Sequence, residues 1–213
     1  VERDASGTVT GVRTEDGRVL VTTKVVIASS PAIAARLVER GKDSSLQKWA
    51  DDAIPVKAAC LDVALSSLPQ PQAFAGFGVD RPLYLSVHSA SAKLAPEGGA
   101  LIQVARYLPP DHRDSPDAVE LELEGLLDLV QPGWRDALVY RRFLPDMIVM
   151  NAMAEARTGG VDGRPQPEIE DVPGLYVVGD WVGNEGLLVD ASLASARQAA
   201  LLIGAAPNAE RAA

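Results

Sequence analysis

The sequence predicts a mixed fold, α/β with α+β character, with strand and helix signals at both chain ends and a β-rich middle. Two short runs, Val25 to Ala28 and Leu175 to Val178, are apolar without alternation, which is typical of buried strands. Between them lie several β segments broken by Pro and Gly. These signals divide the chain into two end segments, 1–50 and 151–213, and a β-rich region from 51–150.

The first forty residues predict strands followed by a helix. Thr8 to Arg13 and Val19 to Val21 are rich in β-formers, and Asp16-Gly17 supplies a hairpin turn between them. We expect Val25 to Ala28 to be covered on both faces in the interior of a sheet. Proline in a first turn and glycine past the last turn then predict a helix from Pro31 up to Gly41.

The middle of the chain predicts a mostly antiparallel sheet with one helix. The β segments are Val56 to Leu65, Leu83 to Val87 and Ala100 to Tyr107, with one more strand at Val139 to Leu144. Asp117 to Gln131 carries apolar residues at helical spacing and ends before a Pro-Gly pair. The stretch that follows, 151–171, is rich in Gly and Pro and predicts a long loop.

Composition excludes several classes of protein. The 213 residues include 20 basic and 29 acidic side chains, a net charge of −9, which disfavours nucleic acid and anionic membranes as partners. A single cysteine, Cys60, excludes an internal disulfide framework and favours the cytoplasm, and with only His88 and His112 we predict no metal site. No apolar run approaches the ~20 residues of a transmembrane helix.

The amino terminus predicts a longer gene product. The sequence begins at Val1, followed by Glu2, Arg3 and Asp4, without an initiator methionine or a signal-peptide pattern. We therefore expect this chain to start inside a larger protein.

The region after Leu175 to Val178 carries the chemistry. Open α/β sheets bind ligands beyond the carboxyl ends of their strands, and Gly179-Asp180 stands at that place. A carboxylate there accepts hydrogen bonds from hydroxyl groups, and a glycine lets a ligand approach the backbone closely.

A helix follows this strand after a glycine-rich loop. Asp190 is predicted to cap it, and its first turns contain mostly small residues. The unpaired amides and the dipole of a helix start favour a partly negative oxygen. Strand, turn and capped helix also occur in many proteins for structural reasons alone, so at this point both a ligand-binding and a purely structural role remain open.

The same region resembles a known motif. The run Gly174 to Asp180, then Gly183, Gly186 and the run Leu188 to Arg197, resembles the carboxyl-terminal flavin motif of FAD-dependent amine oxidase and phytoene desaturase-like oxidoreductases. Gly163-Arg164 is similar to the Gly-Arg pair that precedes this motif in the family. The resemblance implies a partial FAD-binding Rossmann-like layer formed by both chain ends, plus a β-rich substrate domain.

The resemblance also implies which residues contact the cofactor. They are Gly179, Asp180, Gly186, Leu188, Val189, Asp190, Ala28 and Ser29. Asp180 would bind the ribityl chain, and the backbone of Leu188, Val189 and Asp190 would lie near the flavin C2 carbonyl. No catalytic residue is identified, because the flavin itself carries the difficult chemical step.

One departure from the family limits the expected activity. The amino-terminal Gly-x-Gly-x-x-Gly turn is absent, since Gly76-Phe77-Gly78 is followed by Arg81 and Pro82 where a third glycine and a helix belong. We expect a missing amino-terminal FAD-binding segment as partner, weak or no FAD binding by this chain alone, and no activity of the isolated chain.

Three functions remain open at this stage. The first is the carboxyl-terminal part of an FAD-dependent oxidoreductase that oxidises a small apolar or amine substrate by hydride transfer to flavin. The second is a non-catalytic binding or interaction domain that retains the fold. The third is one half of a split flavoenzyme whose other half is a separate polypeptide.

Overall fold

The computed structural model describes residues 1–38 and 45–205. The chain divides into two compact units, one formed by residues 1–55 and 150–213 and the other by Val56–Val149. Both units contain helices and sheets, which confirms the predicted mixed fold class. The assignment of one region to a cofactor and the other to a substrate stays a prediction.

The first unit opens with three short antiparallel strands. They are β1 (Glu2–Arg3), β2 (Val9–Arg13) and β3 (Val19–Val21), in that order in the sheet. The predicted hairpin between β2 and β3 is confirmed. Gly17 adopts φ +84° in its turn, a left-handed backbone that favours glycine.

A fourth strand and two helices follow. β4 spans Val25–Ala28, α1 spans Pro31–Leu37 and α2 spans Ser45–Asp52. The Ser30 side chain accepts a hydrogen bond from Ile33 N at the start of α1, with proline in the first turn as predicted. Residues 39–41, the end of the predicted helix, lie outside the described residues.

The prediction that β4 is covered on both faces is wrong for the described part of the chain. Val26 is 46% exposed, whereas Ile27 is buried. Strand β4 pairs with a single strand there, so its other edge carries no described partner. Among the described residues, the apolar run Val25–Ala28 therefore forms a strand with one buried and one exposed face.

The second unit is one five-stranded sheet and a helix. Its strands are β5 (Val56–Leu65), β6 (Ala75–Phe77), β7 (Leu83–Val87), β8 (Ala100–Leu108) and β9 (Leu138–Met150), in the order β6-β7-β8-β5-β9. The pairings β6–β7, β7–β8 and β5–β8 are antiparallel, as predicted. Helix α3, Pro116–Val130, covers one face of this sheet.

The core of the second unit lies between α3 and the sheet. Val119, Leu123 and Leu127 recur every four residues along α3 and are buried. Alternate residues of β5, such as Leu61 and Val63, are buried in the same cluster. Every fourth residue of α3 and every second residue of the strands thus pack together in one apolar layer.

The last strand and helix complete the first unit. β10 spans Leu175–Val178 and runs parallel to β4, with Leu175 opposite Val25 and Val178 opposite Ala28. Helix α4, Leu188–Ala205, packs on β10. Both chain ends therefore contribute to one parallel pair of strands. Within the described ranges, no helix combines the length and apolar character needed to cross a membrane.

Candidate functional site

The carboxyl ends of β4 and β10 lie side by side, as the parallel register requires. This brings Ala28 opposite Val178 and Ser29 close to Gly179, which is followed by Asp180. The indole Nε1 of Trp181 donates a hydrogen bond of 2.8 Å to the carbonyl oxygen of Ser29. The structure thus brings together residues that are about 150 positions apart in the sequence.

Gly179 joins the end of β10 to α4. Its amide donates to the hydroxyl of Ser195, 3.1 Å away, and Ser195 is buried. A Cβ atom on Gly179 would lie 2.9 Å from Trp181 Nε1, closer than side chains approach one another. Position 179 therefore favours glycine, because the indole of Trp181, which donates a hydrogen bond to Ser29, leaves no room for a Cβ atom.

Asp180 is buried and already has a partner in the protein. It is 7% exposed, and its two carboxylate oxygens accept hydrogen bonds from Asn151. The backbone amide of Asn151 lies 2.8 Å from Oδ2, and its Nδ2 lies 2.9 Å from Oδ1. A carboxylate can accept about four hydrogen bonds, so these two leave capacity for a hydroxyl group. Sequence analysis did not identify Asn151, because no local pattern links it to Asp180.

Arg164 is a buried cation with an incompletely bonded head group. It is 8% exposed, and its Nη1 donates to the carbonyl oxygen of Gly186 at 3.0 Å. No described residue accepts a hydrogen bond from its Nε or Nη2. Burial lowers the pKa of Arg164, and the charge of Asp180 partly offsets that effect. Only the Gly163-Arg164 likeness indicated this residue beforehand.

The start of α4 differs from the sequence prediction. Asp190 was predicted to cap the helix, but α4 begins at Leu188, which places Asp190 inside the first turn. The capping prediction is wrong because the preceding loop enters the helix earlier. An acidic residue in the first turn still stabilises the helix, because its negative charge interacts favourably with the positive end of the helix dipole. Leu188, Val189 and Asp190 are all exposed.

Leu188 has a strained backbone. Among the described residues it is the one non-glycine residue with a positive φ, +53°. Just before it, Gly186 has φ +70°, and a Cβ atom there would lie 2.8 Å from the Cβ of Asp190. Strained conformations of this kind occur preferentially at ligand-binding sites. The geometry therefore marks this loop as a candidate ligand contact.

A cavity of about 250 Å³ lies within the first unit. Trp49 of α2 and Trp181 line it, with ring centroids 6.4 Å apart and planes tilted by 57°. Trp181 therefore anchors the loop through its hydrogen bond to Ser29 and also forms part of the cavity wall. Arg164 lines the same cavity.

His88 and Cys60 belong to the second unit. His88 follows β7 in a 3-10 turn, His88–Ala90. Cys60 is half-buried in β5, and burial, followed by the charge of Asp62, raises the pKa of its thiol. The described ranges 1–38 and 45–205 contain no cluster of three or more potential metal ligands of the His, Cys, Asp or Glu type.

Several solved structures share this fold. An oxidoreductase from Methanosarcina mazei is similar with a TM-score of 0.67 and 21% identity, over 96% of this chain and 47% of that chain. Reduced UDP-galactopyranose mutase gives a TM-score of 0.67 and 13% identity, over 93% of this chain and 45% of that chain. The PF1083 protein from Pyrococcus furiosus gives a TM-score of 0.59 and 18% identity, over 92% of this chain and 44% of that chain.

These similarities establish the fold. The chain spans less than half the length of each of these three proteins. No protein-family model matches the sequence, and no curated protein sequence is significantly similar to it.

Proposed function

We propose that this chain forms the carboxyl-terminal part of an FAD-dependent oxidoreductase of the amine oxidase and phytoene desaturase-like type. The observation that carries the proposal is the common end of β4 and β10, where Gly179 and Asp180 stand beside Ser29 and lead to the strained start of α4. This is the edge at which open α/β sheets bind ligands. The similarity in fold to an oxidoreductase from Methanosarcina mazei supports it.

The residues of this edge suit the ribityl and flavin parts of FAD. Asp180 keeps free lone pairs that can accept hydrogen bonds from ribityl hydroxyls. The exposed start of α4, at Leu188 and Val189, offers a positive dipole end to the flavin C2 carbonyl. Gly179 and Gly186 keep the backbone free of side chains at this edge, and Ala28 and Ser29 extend it.

The two regions would divide the reaction between them. Bound FAD would supply the oxidising power by accepting a hydride from a small apolar or amine substrate. Residues 1–50 and 151–213 would orient the cofactor, and the β-rich region 51–150 would contribute to the substrate site. We expect the protein to act in the cytoplasm, since a single cysteine suits a reducing compartment.

The missing glycine-rich turn determines what this chain can do alone. We propose that an amino-terminal segment, in the same polypeptide or in a separate one, holds the ADP half of FAD. Among the described residues, one edge of β4 carries no partner strand, and the chain covers less than half of the matched structures; both observations support this view. Without that segment the chain would bind FAD weakly or not at all, and would be inactive.

A second candidate function is a domain that retains the fold without the cofactor. The hydrogen bonds of Asn151 to both oxygens of Asp180 favour it, because they show how the carboxylate can be satisfied by the protein itself. The two candidates differ in whether Asp180 also bonds to a ligand.

Reconstitution separates these candidates. In isothermal titration, the 213-residue chain should bind FAD more weakly than a micromolar dissociation constant. It should show no flavin absorbance after purification. Addition of an upstream polypeptide that carries the glycine-rich turn should produce a bound-flavin spectrum. Micromolar or tighter binding by this chain alone would contradict the need for that segment. Failure to gain flavin with the segment present would favour the second candidate.

A further inference from the structure

We propose that an apolar groove between helix α4 and strand β4 receives a helix of the amino-terminal segment. This inference rests on the function proposed above, because it takes that segment as the partner, and it adds the surface that would hold it. The groove lies within the first unit and is formed by exposed apolar residues of both elements. They are Val26 and Ala28 on β4, the floor, and Leu193, Ala196 and Ala200 on α4, the wall.

The floor of the groove is the face of β4 on the side where α4 lies. Tyr176 and Val178 of β10 are buried on that side, in one cluster with Ala199 of α4. Their register partners on β4 are Val26 and Ala28, and paired residues of neighbouring strands point to the same face of a sheet. Val26 is nevertheless 46% exposed, and Ala28 is exposed as well. Helix α4 therefore covers β10 and leaves the same face of β4 open to solvent.

The wall of the groove is the side of α4 that faces β4. On the other side of the helix, Nε2 of Gln198 donates a hydrogen bond of 3.2 Å to Oε1 of Gln166. Gln166 belongs to a stretch, 165–169, whose backbone bonds to the edge of β10 away from β4. Because an α-helix turns by about 100° per residue, the three wall residues lie about 140–160° around α4 from Gln198. They therefore line the side next to β4.

The wall has the composition of a helix surface that packs against another helix. Leu193 is 66% exposed, and exposed alanines occupy positions 196 and 200. The hydroxyl of Ser192, close to them on the helix, already donates to the carbonyl oxygen of Leu188 at 3.0 Å. A helix that is apolar on its outer side as well as its inner side is typical of burial on both sides. The short alanine side chains also leave room for a second helix axis close to α4.

The size of the groove favours one helix over a second copy of this chain. Its five residues are far fewer than the roughly 20–30 residues per side of a stable protein–protein interface. Among the described residues, the edge of β4 beside the groove has no partner strand, so a strand followed by a helix would fill edge and groove together. This chain spans less than half of each matched structure, which leaves more than half of their length to supply such a segment.

The test measures association of the 213-residue chain with the upstream polypeptide that carries the glycine-rich turn. Isothermal titration without FAD gives the affinity. Leu193→Asp and Ala196→Asp should each weaken association at least about tenfold, because a carboxylate without a partner would be buried against an apolar helix face.

The matched control for these variants is Leu201→Asp. Leu201 is as exposed as Leu193, at 67%, but it lies on the Gln198 side of α4. Its substitution should leave the affinity unchanged. Circular dichroism verifies that each variant keeps its helix content, so that a loss of association is not a loss of folding.

Photo-cross-linking identifies the occupant of the groove. A benzophenone group is attached at Leu193→Cys in a chain that also carries Cys60→Ser, so that position 193 holds the one reactive thiol. It should form cross-links to a helical part of the upstream polypeptide, which mass spectrometry maps. The same group at Leu201→Cys should form none with that part.

The outcomes decide the proposal separately from the proposed function. Equal effects of Leu193→Asp and Leu201→Asp, no association of the two polypeptides, or cross-links between two copies of this chain would each overturn it. Association that depends on the groove but yields no flavin spectrum after FAD is added would support the groove and contradict the oxidoreductase. Flavin binding together with unchanged association of Leu193→Asp would contradict the groove and leave the oxidoreductase standing.

Discussion

Asp180 is a buried carboxylate that the protein itself supplies with hydrogen-bond donors. Its burial would be costly without donors, and Asn151 provides two from a single residue. This arrangement fixes the direction of the carboxylate before any ligand arrives. A group oriented in this way loses little freedom on binding, which is the advantage of preorganised sites.

The proposed role of Asp180 predicts a measurable loss of cofactor. In the complete protein, Asp180→Ala should weaken FAD binding by about 1.5–3 kcal/mol, the range of a hydrogen bond to a charged group. Flavin titration measures the change.

The matched control for this variant is Glu185→Ala, which removes an exposed carboxylate that pairs with Arg197. It should leave FAD affinity unchanged. Equal affinity of wild type and Asp180→Ala would remove Asp180 from the site.

Helix α3 gives a matched pair of positions for testing the core of the second unit. Leu123 is fully buried between α3 and the sheet, whereas Leu121 on the same helix is 72% exposed. Leu123→Ala should lower the free energy of unfolding by about 2–5 kcal/mol, because it removes apolar contacts and leaves a cavity. Leu121→Ala should change it by less than about 0.5 kcal/mol.

Urea denaturation of the two variants measures this difference. Equal losses would mean that α3 does not pack as described.

Elements with local signals were predictable, and elements with distant partners were not. The helix predicted at Asp117 to Gln131 is found at Pro116–Val130, because its apolar spacing and its Pro-Gly stop are both local. Helix α2 was missed. Its first residue, Ser45, donates both its amide and its hydroxyl to Asp171, a partner 126 positions away. No sequence window contains both residues.

Strand β9 shows a second limit. The sequence predicted a strand that ends at Leu144, before Pro145, whereas β9 continues to Met150. Proline removes a hydrogen-bond donor and usually ends a central strand. β9 lies at the edge of its sheet, where one side needs no donor, so the proline is tolerated.

At the scale of the whole molecule, the site residues came from the resemblance and their surroundings came from the structure. The motif around Gly179 and Asp180 is contiguous, so it could be recognised in the sequence. The contacts of Asn151 and the unpartnered, buried nitrogens of Arg164 depend on how a long loop folds back, for which the sequence holds no periodic signal. Whether these residues contact a cofactor stays a prediction.

The distribution of charge predicts how stability depends on pH. Hydrogen bonds from Ser6, Thr14 and Arg106 lower the pKa values of Asp4, Asp16 and Asp114 respectively, below the ordinary value of 3.8. The unfolded chain therefore takes up these protons first as the pH falls. The resulting stability is present above about pH 4 and is lost as the pH falls through the folded-state pKa values.

Urea midpoints measured between pH 7 and pH 2.5 test this dependence. We expect little change down to about pH 5 and a gradual decline below pH 4. An exposed ion pair such as Asp16–Arg18 contributes little to the free energy of unfolding. Asp16→Asn should therefore reduce the decline of the urea midpoint only slightly. A midpoint that stays constant to pH 2.5 would contradict the lowered pKa values.

The left-handed backbone conformation of Leu188 also matters for protein engineering. An L-residue with a side chain in this conformation stores on the order of 1 kcal/mol that glycine would release. Selection for heat resistance alone would therefore favour glycine at this position and make the loop more flexible. A thermostable variant obtained in that way would hold the proposed flavin contact less firmly, so screens of this protein should score ligand retention together with melting temperature.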